Sequence, residues 1–207
     1  MPYPVSVDVQ PLVAGRNRLT TAFRLFLAIP HLILVGGTTI GFASRNRDLS
    51  VGGEGGLLGA IAFFLAVVSW FTIVIAGVHI LGIRQYTLFF LRWRTRALAY
   101  LMLLTDAYPP FGDAPYPASF AIEEPAQARD RVSVALRLFL LIPHLVILAF
   151  LMIGWGFASI GAWFVILFTG SYPSALVEFS VGAMRWRLRV EAYLLLLVDA
   201  YPPFSLT

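Results

Sequence analysis

Arg24-Leu-Phe-Leu-Ala-Ile-Pro-His31 returns 113 residues later as Arg137-Leu-Phe-Leu-Leu-Ile-Pro-His144, identical at seven of eight positions. Each copy sets an arginine at the head of a long apolar run and a Pro-His pair about two turns inside it. Tyr3-Pro-Val-Ser-Val-Asp-Val9 and Tyr116-Pro-Ala-Ser-Phe-Ala-Ile122 share the same 113-residue offset. Further on the offset falls to 93: Trp70-Phe71 matches Trp163-Phe164, Arg92-Trp-Arg94 matches Arg185-Trp-Arg187, and Leu103-Leu-Thr-Asp-Ala-Tyr-Pro-Pro-Phe111 matches Leu196-Leu-Val-Asp-Ala-Tyr-Pro-Pro-Phe204. Ordered self-similarity of this kind marks a duplication. The units are residues 1–112 and 113–207, and the first carries 20 extra residues.

The composition is that of a membrane protein. Of 207 residues, 59% are hydrophobic and 13% charged, with mean hydropathy +0.81. Soluble domains are about 45–50% apolar and about 25% charged. Cysteine is absent, which excludes disulfides, thiol catalysis and thiolate metal sites. All 15 basic residues are arginine, giving a net charge of +4 and planar forks suited to phosphate. The opening residues lack the basic and apolar regions of a secretory signal.

Leu25–Ala43 is an uncharged run of 19 residues and Leu57–Ile83 one of 27, separated by the charged, glycine-rich stretch 44–56. About 20 apolar helical residues cross a bilayer core of about 30 Å, so unit one predicts a helical hairpin. Unit two has 34 uncharged residues, Leu138–Ser171, with Gly154-Trp-Gly156 as the expected turn between two short spans. Tyr3, Val5, Val7 and Val9 alternate with polar neighbours, as in a half-buried strand. Tyr116, Ala118, Phe120 and Ile122 repeat the pattern, and the two segments can pair. After each hairpin, arginines amid leucines at helical spacing predict an amphipathic helix in the membrane interface.

The expected fold class is therefore an all-α membrane protein. It has four transmembrane helices as two tandem hairpins, each followed by an interfacial amphipathic helix, with short cytoplasmic β segments. Two crossings per unit make the units parallel repeats. Thirteen arginines then share one side, against Arg45 and Arg47 opposite. The positive-inside rule places both termini in the cytoplasm of a bacterial inner-membrane, multi-pass protein.

His31 and His144 are the sharpest chemical candidates. At equal depth on matching helices, two neutral imidazoles suit a haem or chlorin. The plainer role is satisfying carbonyls freed by Pro30 and Pro143. Arg92, Trp93, Arg94 and Arg96, with Arg185, Trp186, Arg187 and Arg189, are the candidate lipid-headgroup residues, anionic lipids attracting such clusters. Asp106 and Asp199 precede prolines at helix exits and read as turn formers. The expected spans hold no Asp, Glu, Lys or Arg, and the chain has no nucleophile elbow, phosphate loop or zincin motif. No enzyme and no metal site is expected. Nucleic acid is not an expected partner, because the basic positions are interleaved with bulky apolar ones.

At Arg-Leu-Phe-Leu-x-Ile-Pro-His, Arg-Trp-x-x-Arg and Asp-Ala-Tyr-Pro-Pro-Phe the chain resembles a bacterial integral membrane family. That family is catalogued only as a domain of unknown function and is common in actinobacteria and other GC-rich lineages. Arg92, Trp93 and Arg96, and Arg185, Trp186 and Arg189, match its middle motif. The resemblance covers nearly the whole chain twice and implies fold and location without catalytic residues. The expected function is non-catalytic: an accessory or scaffolding subunit of a larger membrane complex, or a lipid organiser. Alternatives are a haem- or chlorin-binding redox or light-harvesting subunit using His31 and His144, and a lipid or small-hydrophobe carrier.

Overall fold

The computed structural model describes residues 3–37, 55–123 and 130–207. In chain order the elements are β1 (Val5–Val9), α1 (Arg18–Ala22), α2 (Arg24–Val35), α3 (Gly56–Ala76), α4 (Leu81–Leu101), β2 (Ala118–Ile122), α5 (Arg131–Thr169) and α6 (Ser174–Leu194). The two alternating segments do pair. β1 lies antiparallel to β2 with Val7 opposite Phe120, Val5 opposite Ile122 and Val9 opposite Ala118. Val5, Val7, Val9, Ala118 and Phe120 are buried on the inward face, and Ser6 and Asp8 face out.

The second hairpin does not form. α5 is one continuous helix of 39 residues that runs straight through Gly154-Trp-Gly156. Trp155 is fully buried there, and a side chain at Gly154 would touch the Phe179 ring. The glycine therefore serves helix packing, and no turn is made. In unit one the matching helix is divided: α2 has 12 residues, α3 has 21, and the inserted stretch lies between them in sequence. The two ends stay together, since a Cβ built on Gly56 would fall 2.5–2.6 Å from the Leu34 and Gly36 backbone. Residues 38–43 of the expected first span lie outside the described residues. Among the described residues two helices, α3 and α5, are long and apolar enough to cross a membrane. Four spans are not found among the described residues.

Nor are the units parallel. Trp70 Nε1, near the end of α3, donates to the Val134 carbonyl at the start of α5 (2.9 Å). Trp163 Nε1, near the end of α5, donates to the Thr21 carbonyl at the start of unit one (2.9 Å). The α2–α3 pair and α5 thus run antiparallel, related by a pseudo-two-fold axis. The helix ends are exchanged in the same way. α3 stops at Gly77 and α5 at Gly170, both left-handed (φ 71° and 73°). The Arg131 guanidinium of unit two sits against Gly77, and the Arg18 guanidinium of unit one against Gly170. A cation beside exposed C-terminal carbonyls is favourable there.

The elements form three layers. The ribbon lies on α4 through β2 and on α6 through β1, and those two helices pack beneath α2, α3 and α5. α4 and α6 are therefore the middle of the fold, in place of the expected interfacial helices: Leu91, Ala99, Ala183 and Leu188 are fully buried. On α5 the buried residues Arg137, Leu141, His144, Leu148, Trp155, Ala162 and Ile166 follow spacings of three, four and seven, which is one face of a helix. The opposite face is apolar and uncovered.

Candidate functional site

Each unit ties its three repeated motifs into one buried knot. In unit one Arg24, at the head of α2, is 1% exposed. Its Nη1 donates to the carbonyls of Tyr100 (2.8 Å) and Thr105 (2.5 Å), its Nη2 to Asp106 Oδ1 (2.6 Å), and it lies 4.4 Å from the Tyr100 ring centroid. In unit two Arg137 donates to the Tyr193 carbonyl (2.9 Å) and Asp199 Oδ1 (2.8 Å), 4.2 Å from the Tyr193 ring. These arginines supply the charge and donors that the C-termini of α4 and α6 lack. The chain exits both helices through a left-handed leucine, Leu103 (φ 64°) and Leu196 (φ 62°), a conformation leucine adopts only where surroundings enforce it.

Asp106 also accepts from Arg16 Nε (3.0 Å) and Nη2 (2.7 Å) and from the Asn17 amide (2.8 Å). Burial pushes its carboxyl up, but the hydrogen bonds from Arg16, the Asn17 amide and Arg24, with the Arg16 charge, outweigh burial and hold it below the usual carboxylate range. The turn-forming aspartate of the sequence is thus an ion-pair partner.

The histidines join the same knots. Trp93 Nε1 donates to His31 Nδ1 (3.0 Å), and Phe111 stacks on the imidazole at 4.6 Å. Trp186 Nε1 donates to His144 Nδ1 (3.1 Å), with Phe204 stacked at 4.0 Å. An imidazole that accepts at Nδ1 carries its proton at Nε2. Pro-His, Arg-Trp-x-x-Arg and Tyr-Pro-Pro-Phe are therefore parts of one contact. His31 and His144 occupy separate aromatic cages, and the structure does not bring them together around a shared cofactor. The imidazoles contact aromatic rings of the following motifs, where the sequence suggested carbonyls freed by proline.

The eight candidate headgroup residues mostly face inward, since α4 and α6 are covered on several sides. Trp93, Arg94, Arg96, Trp186 and Arg187 are buried. Arg96 binds the Gly112 carbonyl and Asp113, Arg185 Nε donates to the Val7 carbonyl (3.1 Å), and Arg189 donates to the Thr207 carbonyl (2.5 Å). Arg92 alone of the eight is exposed, 3.6 Å from Asp113. At the pseudo-two-fold axis Arg94 and Arg187 both meet the Glu191 carboxylate, at 3.0 and 2.8 Å. Arg187 also reaches the Gly37 carbonyl (3.1 Å), just past the end of α2. Burial pushes Glu191 up, the two guanidiniums outweigh it, and the carboxyl titrates below its usual range. Burial lowers Arg94 to about 10. The position matching Glu191 in unit one is Leu98, so among the described residues the shared acid comes from unit two.

Where the long helices meet at their ends, two matching apolar clefts open. One, of about 310 Å³, is lined by Arg24, Leu25, Leu101, Leu103, Ser159, Ile160, Trp163 and Phe164. The other, of about 250 Å³, is lined by Arg137, Leu138, Leu194, Leu196, Ala66, Val67, Trp70, Phe71 and Phe63. Nε of Arg24 and of Arg137 is buried without a hydrogen-bond partner among the described residues. Among those residues no group of three or more acids and histidines is placed to hold a metal. What sequence reasoning missed is the Arg24–Asp106 and Arg137–Asp199 pairing and the role of Glu191. The first had a signal: opposite charges recur at the two ends of the same duplicated unit.

The family model described as a domain of unknown function, DUF4389, matches residues 55–112 and 131–205. No curated protein and no solved structure matches the chain.

Proposed function

The chain belongs to the DUF4389 family of domains of unknown function, and we propose that it is a non-catalytic, membrane-seated protein that organises lipid at the bacterial cytoplasmic membrane. One observation carries this reading. The outer face of α5 presents Phe139, Phe150, Phe157 and Phe168 at 72, 73, 71 and 78% exposure, within a stretch free of charge from Leu138 to Ser171. Contiguous exposed apolar surface of this extent needs a partner, and acyl chains supply one without specific contacts. Exposed arginines flank the face, Arg18 at one end and Arg131 at the other, and favour anionic headgroups. A paired haem or chlorin site is not proposed, because His31 and His144 are caged apart.

Detergent phase partition followed by native mass spectrometry tests the proposal. The protein is expected in the detergent phase with anionic phospholipid retained. A lipid-free, monodisperse monomer stable in water without detergent overturns it. Copurifying protein after gentle extraction extends the reading to an accessory subunit of a larger membrane complex. A second reading, a lipid or small-hydrophobe carrier, is favoured by the two clefts beneath Arg24 and Arg137. It predicts one bound amphiphile per cleft, lost when Ser159 or Ala66 is replaced by Trp.

A further inference from the structure

We infer that the protein does not cross the bilayer but lies in one leaflet, with α2, α3 and α5 flat in the membrane plane and the β1–β2 ribbon facing water. This rests on the membrane-seated reading above and deepens it. The long helices are antiparallel and joined at both ends, by Trp70 to Val134 and Trp163 to Thr21. The pseudo-two-fold axis therefore runs across them, near mid-length. On that axis sit the Val7–Phe120 pair of the ribbon and the Arg94–Glu191–Arg187 cluster.

Suppose α3 and α5 stood upright. The ribbon, flanking their midpoint, would lie at the centre of the bilayer. Outward-facing Asp8 and the half-exposed Arg92–Asp113 pair would then meet acyl chains, where ionised groups are expensive. The open edges of a two-stranded ribbon would meet them too, and lipid-exposed sheet edges do not occur in the hydrocarbon region. α5 would also measure about 58 Å against a core of about 30 Å.

Laid flat, the same molecule meets each constraint. The phenylalanine faces of α2, α3 and α5 enter the acyl chains, the middle layer lies behind them, and the ribbon reaches water. Length then has no upper bound, which is why α5 need not turn. The arginine-flanked ends of both long helices come to headgroup depth together. The occupant of the uncovered face is the lipid leaflet.

The natural chain has no cysteine, so single cysteines report cleanly. Variants V132C and T169C mark opposite ends of α5, D8C marks the ribbon, and F150C marks the outer face. Each is treated with a membrane-impermeant maleimide in inside-out and in right-side-out vesicles from expressing bacteria. The flat arrangement predicts that Val132→Cys, Thr169→Cys and Asp8→Cys are all labelled in one vesicle type and all protected in the other. Phe150→Cys is protected in both until detergent is added. Labelling of the two ends of α5 in opposite vesicle types overturns the inference while leaving the membrane seat intact. Recovery of the protein in the aqueous supernatant, with all four labelled, overturns the membrane seat itself. Helical circular dichroism equal to that of the parent chain certifies each variant as folded, and a variant that fails is replaced by S6C, L136C or F157C.

Discussion

The two units build the same long helix in two ways. In unit two it is the unbroken α5, while in unit one the chain leaves after Val35 and returns at Gly56. Pro30 and Pro143 are tolerated inside the helix in both, and both heads carry the same Arg–Asp pair and the same caged histidine. The difference shows that register and packing hold this helix in place, and that chain continuity is dispensable. A second difference lies on the axis, where Glu191 faces two arginines and its counterpart Leu98 is apolar. Symmetry fails there because one carboxylate lies between the two buried guanidiniums and pairs with both.

The sharpest way to break the comparison is to remove that shared acid. Glu191→Gln removes the carboxylate that Arg94 and Arg187 share, and stripping one partner from a buried ion pair costs about 3–5 kcal/mol. Thermal unfolding in detergent is expected to show a larger drop for Glu191→Gln than for any substitution in the histidine cages or at Asp106. A loss under about 1 kcal/mol would mean that the cluster is solvated.

Next in size are the cages. Trp93→Phe and Trp186→Phe each leave a buried imidazole nitrogen without its donor, at about 1–3 kcal/mol. Equal losses in the two units are expected. Markedly unequal losses would show that the knots are not equivalent.

Acid is expected to act on unit one through Asp106 by a smaller amount. Asp106 is held below its ordinary pKa, so the stability it contributes is complete above the unfolded value and is lost as pH falls through the folded one. Unfolding temperatures measured from pH 6 downward should fall, and Asp106→Asn should flatten the acid limb. An unchanged limb in the variant would remove Asp106 from the account.

The smallest expected effect is that of the insertion. Deleting residues 36–55 joins Val35 to Gly56 and should give a continuous helix like α5. Relieving closure of a loop of about 20 residues stabilises by about 2–3 kcal/mol, the loss of the Gly37 carbonyl that Arg94 and Arg187 bind offsets it, and the net shift is expected to be small. Retained helicity and detergent-phase partition are expected, whereas an unfolded product would show that the insertion itself organises the fold.

The duplication was legible because motifs recur in order, and the ribbon because Val5, Val7 and Val9 alternate in phase with Ala118, Phe120 and Ile122. The continuity of α5 through Gly154-Trp-Gly156 was not. Glycine costs a helix about 1 kcal/mol, which the burial of Trp155 and the close approach of Phe179 override. Span counting also assumed upright helices, and hydropathy reports the solvent of a residue without reporting the direction of the helix. The Arg-Trp-Arg segments read as amphipathic because sequence shows spacing and not which faces are covered; α4 is enclosed by α2, α3, α6 and β2. His31 and His144 were legible as a pair but not as partners of Trp93 and Trp186, which lie 62 and 42 residues away.

The immersion depth of spin labels along α5 tests the central claim most directly. Phe139, Phe150, Phe157 and Phe168 share one face of the helix, being spaced by 11, 7 and 11 residues. Labels placed there one at a time and read by oxygen and nickel accessibility should report one common depth along the whole helix. A depth that changes steadily along the helix, approaching about 1.5 Å per residue, would mean that α5 stands across the membrane, and would contradict the account.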